Sequence, residues 1–215
     1  MSKLQSDPHH STCPTPTDFS PWLQQPFCLD PADSDDSGPP DCVFTSASFR
    51  GNQGVSIITT PELAASMVEY LDDSQVSAEL KWHMINDEQL NGNKTRGYTI
   101  RDMPGRGKGA VAIRKLARHE TVMVGFPAFI VRLDFLNDGR YTERQQRLMM
   151  KKAVHQLHPE QQRSIMSLAR STGGEPILDV LRTNGFGIDI GGAQHLAVFV
   201  DGSVCRLVPK SMFSF

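Results

Sequence analysis

Met103-Pro104-Gly105-Arg106-Gly107-Lys108-Gly109-Ala110-Val111 joins two stretches of strand character, and the fold turns on how it is read. Before it, Tyr98-Thr99-Ile100-Arg101 alternates along the backbone, and after it Gly109 to Ile113 supplies a second extended run. Pro104-Gly105 makes the turn, and Gly105, Gly107 and Gly109 leave backbone N–H groups uncovered by side chains. Such a connection presents donors to a ligand, or is a tight β-turn with exposed bases. A Walker A loop fails on spacing and on the missing Lys-Ser/Thr. A dinucleotide fingerprint fails because no GxGxxG lies between a strand and a helix.

Working outward, Thr121 to Leu133 is the strongest β signal, with Val122, Val124, Phe126, Ile130 and Val131 around a break at Pro127. A helical insertion at about 141–171 follows. Thr142-Glu143 opens one helix through Leu148, Met149, Ala153, Val154 and Leu157, and His158-Pro159-Glu160 restarts the pattern into Ile165, Met166, Leu168 and Ala169. Met149, Met150 and Met166 read as helix core rather than a binding stripe, and His155 and His158 lack companion metal ligands. Ile177 to Leu181 reads as a short helix stopped by Asn184-Gly185. Ile188 to Ile190 and Leu196 to Val200 read as strands, and Asp201-Gly202 as a hairpin turn before Val204-Cys205-Arg206-Leu207.

Upstream, ordered chain is expected from Val43 to Ile58. Thr60-Pro61-Glu62 then caps an amphipathic helix through Leu63, Met67 and Leu71. Val76, Leu80, Trp82 and Ile85 form a less regular apolar pattern closed by Asn91-Gly92-Asn93. Residues 1–42 hold eight of the fourteen prolines and the acidic run Asp33-Ser34-Asp35-Asp36. They read as a disordered tail with too little apolar surface to offset ordering. The organisation expected is therefore a tail at 1–42, a helical flanking region at 43–97 and a β-rich α+β domain at 98–215.

The net charge of −2 is unevenly spread. Lys94 to Arg118 carries eight bases with Asp102 as the one acid, a surface suited to phosphate, an acidic protein or nucleic acid, or to plain solvation. Cys13, Cys28, Cys42 and Cys205 show neither CxxC nor zinc spacing, and three lie in the expected tail. No disulfide framework is therefore expected, and a reduced intracellular chain follows. No apolar run is long enough for a membrane helix, and the polar start lacks the regions of a signal peptide.

The order of these features resembles the SET domain, particularly the split-type SET proteins. That family opens with a proline-glycine-basic-glycine-basic-glycine segment, matched by Pro104 to Gly109, and carries a threonine-asparagine-small-phenylalanine segment before a strand, matched at Thr183 to Phe186. The similarity covers about Tyr98 to Leu207. It implies an S-adenosylmethionine-dependent protein-lysine methyltransferase ancestry, a location in nucleus or cytoplasm and a protein lysine as substrate. The backbone of Gly105, Arg106, Gly107, Lys108 and Gly109 would then border the amino-acid end of the cofactor.

The sequence also departs from that family. Where the family continues from its last hairpin into an asparagine-histidine-serine-cysteine segment and a late tyrosine, this sequence has Val208-Pro209-Lys210 and ends at Phe215. An incomplete SET-like fold without methyl transfer is the expectation, with no catalytic residue assigned to Tyr98 or Tyr141 and no metal site. The other expectation is a noncatalytic module reaching an acidic protein or, with weaker support, nucleic acid. It would use the Lys94 to Arg118 run and the helix bearing Arg144, Arg147, Lys151 and Lys152. Few aromatics lie near these bases to stack single strands.

Overall fold

A computed structural model of the chain describes residues 22, 24–32, 38–71, 98–103, 107–118 and 125–200. In chain order the elements are β1 (Phe27–Cys28), β2 (Cys42–Ser46), α1 (Phe49–Asn52), β3 (Val55–Thr59), α2 (Pro61–Ser66) and a 3-10 turn at Val68–Leu71. They continue with β4 (Tyr98–Met103), β5 (Gly107–Ala112), β6 (Phe129–Arg132), α3 (Leu133–Asn137), α4 (Glu143–His155) and α5 (Pro159–Met166). The last three are α6 (Pro176–Asn184), β7 (Gly185–Ile190) and β8 (Ala193–Val198). The class is α+β, with the described residues shared between helix and strand rather than dominated by strand.

Six strands form one sheet in the order β1-β2-β3-β6-β8-β7, and β4 and β5 form a separate antiparallel pair. All neighbours in the large sheet are antiparallel except β3 and β6, which run parallel with Ile57 opposite Ile130 and Ile58 opposite Val131. Register and the two-residue period sort the side chains into two rows. Val43, Ile58, Val131 and Leu196 line the face covered by α3 to α6, where Phe135, Met149, Met150, Val154, Ile165 and Leu181 complete the core. Phe44, Ile57, Ile130 and Ala197 line the other face, against Trp22, Phe49, Ala64, Met67 and Leu71. With both faces covered, every residue of β2, β3 and β6 is buried, the polar Thr45, Ser46, Ser56, Thr59 and Arg132 included.

Local chemistry fixes the helix ends. The Thr142 hydroxyl accepts from the Gln145 N–H while the Gln145 side chain accepts from the Thr142 N–H, a reciprocal cap that starts α4 where the sequence places it. Thr60 and Pro61 start α2 as expected, but the α-helix ends at Ser66, and after Met67 the chain tightens into the 3-10 turn at Val68–Leu71. The Gly191-Gly192 turn joins β7 to β8 with φ of 59° and 80°, both left-handed, as a tight hairpin of this hand requires. A Cβ on Gly191 would stand 2.9 Å from Leu63 Cδ2, so this turn also packs on α2.

Three expectations change. Part of the segment read as a tail enters the core: Trp22 is buried, Phe27 pairs with Val43, and Gln24 Nε2 donates to the Gln156 carbonyl. Few apolar residues suffice because each is placed against the edge of an existing sheet. Cys28 and Cys42 stand directly opposite across β1 and β2 and are joined by a disulfide, which overturns the expectation of unpaired cysteines. Ligand-spacing rules are blind to cross-strand neighbours, and cysteine usage no longer argues for a reduced chain. Finally, the strand expected over Thr121 to Leu133 is confined, among the described residues, to Phe129–Arg132, and Leu133 opens a helix instead. Val76 to Ile85, Thr121 to Val124 and the hairpin expected at Asp201-Gly202 lie outside the described residues.

Candidate functional site

The glycine-rich connection forms the hairpin its sequence implies, with longer arms. β4 runs to Met103 and β5 starts at Gly107, so Met103 faces Gly107, Asp102 faces Lys108 and Arg101 faces Gly109. Of the five residues expected to border a cofactor, Gly107, Lys108 and Gly109 therefore lie in a strand, while Gly105 and Arg106 fall outside the described residues. Gly107 and Gly109 are two apart and share one face, which leaves backbone there with no side chain. Every second N–H along β5 points away from β4, and among the described residues no other strand pairs with that edge. Asp102, directly opposite Lys108, sets one acid against the basic run, whose Arg101, Arg114, Lys115 and Arg118 are exposed.

The second motif sits at the junction of α6 and β7. Asn184 ends the helix and is buried, its Nδ2 donating to the carbonyls of Ala169 and Val180 at 2.8 Å each, which ties the junction to the end of α5. These bonds explain the residue as a clamp. Gly185 is required by space: its φ is −73°, ordinary for any residue, but a Cβ there would collide with the Leu181 carbonyl oxygen. Phe186 packs edge-on against Phe199 with ring centroids 5.8 Å apart.

One turn before Asn184, Asp179 gathers the preceding loop. Its carboxylate accepts from the N–H groups of Ser171, Thr172 and Gly173 and from the hydroxyls of Thr172 and Thr183, at 2.9–3.0 Å. The backbone bond from Thr172 leads the effects that hold its pKa far below the usual carboxylate range. With its acceptor sites filled, this group anchors a loop and is not a free acid or base.

A buried polar network crosses the end of the large sheet. Arg132 donates through Nε and Nη2 to the two oxygens of Asp41, both at 2.8 Å, and through Nη1 to Asp134. The bond to Asp41 is the main reason the guanidinium holds its proton more tightly than usual. The Asp41 N–H donates to the Tyr141 hydroxyl oxygen at 2.7 Å. Burial pushes that phenol up to about 12, so it stays protonated at neutral pH. Opposite Arg132, His195 is fully buried with Nε2 3.0 Å from Thr59 Oγ1 and Nδ1 2.9 Å from the Ala193 carbonyl. Burial is the leading cause that lowers its affinity for a proton. Sequence reading missed this network, and its trace is a charged residue closing the apolar run of β6.

The outer face of α4 is the remaining feature. Arg144, Arg147, Leu148, Lys151 and His155 are exposed, opposite the buried Met149, Met150 and Ala153. Lys152 turns sideways, its Nζ 5.7 Å above the Phe27 ring. His158 Nδ1 accepts from the Glu160 N–H as the cap of α5. Among the described residues no three His, Cys, Asp or Glu side chains gather as metal ligands, and no helix is long and apolar enough to cross a membrane.

No family model, no curated protein and no solved structure matches this chain.

Proposed function

We propose that the chain is a SET-type protein related to S-adenosylmethionine-dependent protein-lysine methyltransferases. One observation carries the reading: Gly107 and Gly109 of the motif fall on one face of a hairpin strand, giving a bare stretch of backbone against which a ligand can lie. The helix-to-strand junction at Thr183 to Phe186 supports it, because its threonine-asparagine-glycine-phenylalanine run ends α6 and opens β7. In this reading Gly105, Arg106, Gly107, Lys108 and Gly109 hold the amino-acid end of the cofactor. Open amides donate to its carboxylate and a neighbouring base offsets the charge.

The cofactor supplies the methyl group, and the protein has to align a neutral lysine amine with it and exclude water. Tyr141 takes no part, since its hydroxyl is committed to Asp41 inside the core. The motif residues predict cofactor binding, and no residue is assigned the role of the family's asparagine-histidine pair, which the 215-residue sequence does not contain. Titration of the labelled chain with S-adenosylmethionine, followed through its amide resonances, tests this. Shifts should be confined to Gly105 to Gly109 and their strand partners and saturate near about 1 mM. Shifts elsewhere, or none at several times that concentration, would overturn the proposal.

A second reading, a noncatalytic module that binds acidic ligands through basic surfaces, is favoured by the exposed bases of α4. Binding that weakens with salt and survives Gly107→Ala would support it.

A further inference from the structure

We infer that the outer face of α4 is a docking surface for an acidic helical peptide that carries one large apolar residue. The inference rests on the second reading above and narrows its partner. Arg144, Leu148, Lys151 and His155 fall at i, i+4, i+7 and i+11, a single line down the helix about 16 Å long. Leu148 is 49% exposed and stands between bases, while the apolar face of the same helix is already spent on the core.

Helix stability does not account for this row. Arg144 and Arg147 sit in the first two turns, where the helix dipole disfavours cations, and Arg147 and Lys151 are like charges one turn apart. Arg147 has Glu143 3.9 Å away, but among the described residues neither Arg144 nor Lys151 has an acidic partner. A helix with carboxylates spaced by three and four residues answers the row, and an apolar side chain between them covers Leu148.

Two other ligand classes fit less well. α4 offers no aromatic ring to stack a base, and a leucine at the centre of the row meets nothing useful on a phosphate backbone. A membrane-surface helix needs an apolar face turned outward, and here that face is buried beneath α4.

Fluorescence anisotropy with the full 215-residue chain tests the inference. The main probe is a synthetic helical peptide of about 15 residues with Glu at i, i+3, i+7 and i+11 and Leu at i+4. The same peptide with Ala for Leu, a single-stranded RNA oligomer and phosphatidylserine vesicles complete the set. The Leu peptide should bind best. Arg144→Glu with Lys151→Glu should weaken it at least about tenfold, Leu148→Ala about fivefold, and Arg170→Glu, outside both basic surfaces, not at all. All four positions are exposed, so folding should be retained. If Leu and Ala peptides bind alike and Leu148→Ala has no effect, or if RNA or vesicles bind more tightly, the docking inference fails while the interaction reading stands. If no probe binds, both fail.

Discussion

Gly185 shows how much one missing methyl group can decide. Because the obstruction is the Leu181 carbonyl oxygen of the preceding helix turn, Gly185→Ala must push apart the end of α6 and the start of β7. A loss of about 1–3 kcal/mol is expected in urea unfolding. Asp41 makes a different test. Removing its charge leaves the Arg132 guanidinium inside the protein with Asp134 alone, so Asp41→Asn should lose about 3–5 kcal/mol. Replacing both, as Asp41→Leu with Arg132→Met, should lose clearly less, and equal losses would show that charge burial is not the issue. Sequence reading identified Gly185 as a helix stop, since Asn-Gly marks such stops. Asp41 was invisible to it, because its partner lies ninety-one positions away and no local pattern joins them.

At the scale of elements, legibility followed how local the determining interaction is. α4 and α5 were readable because a capping box, prolines at the first helical turn and the spacing of Met149, Ala153 and Val154 all lie within one helix. The β4–β5 hairpin was readable for the same reason. The sheet was not: placing β3 beside β6, or β1 at the edge of β2, depends on contacts between distant segments, and so did the disulfide. The hairpin around the motif was legible but its arms were read short: the second strand was expected from Gly109, whereas β5 starts at Gly107. The loop before α6 gives a prediction of its own. Asp179→Asn keeps the shape and removes the charge that five donors address, so amide exchange at Ser171, Thr172 and Gly173 should accelerate while α4 is unaffected. Unchanged protection at those three amides would mean that packing, not the carboxylate, holds the loop.

For the whole molecule, pH dependence follows from two groups in separate windows. His195 is kept neutral chiefly by burial, with Arg132 nearby acting in the same direction, while the Ala193 carbonyl, Asp41 and Asp189 favour its proton. Its folded-state pKa therefore lies below the unfolded value near about 6.5. As pH falls through that value the unfolded chain takes up a proton that the folded chain refuses, and stability declines. Asp179, also depressed, contributes stability above about pH 4 that is lost on further acidification. Unfolding midpoints measured from about pH 7 to 5 should slope downward for the native chain and be flatter for His195→Gln. An equal slope in both would show that this histidine is not the source.

The parallel contact between β3 and β6 has a consequence for assembly during synthesis. The middle of the sheet is a seam: the strands up to Thr59 lie on one side of it and the strands from Phe129 onward on the other. The leading half emerges from the ribosome with Ile57 and Ile58 uncovered and waits there until its counterpart has been made. Two polypeptides divided after Leu71 and produced together should accordingly find each other and rebuild the sheet. Either one alone should be sticky and short-lived.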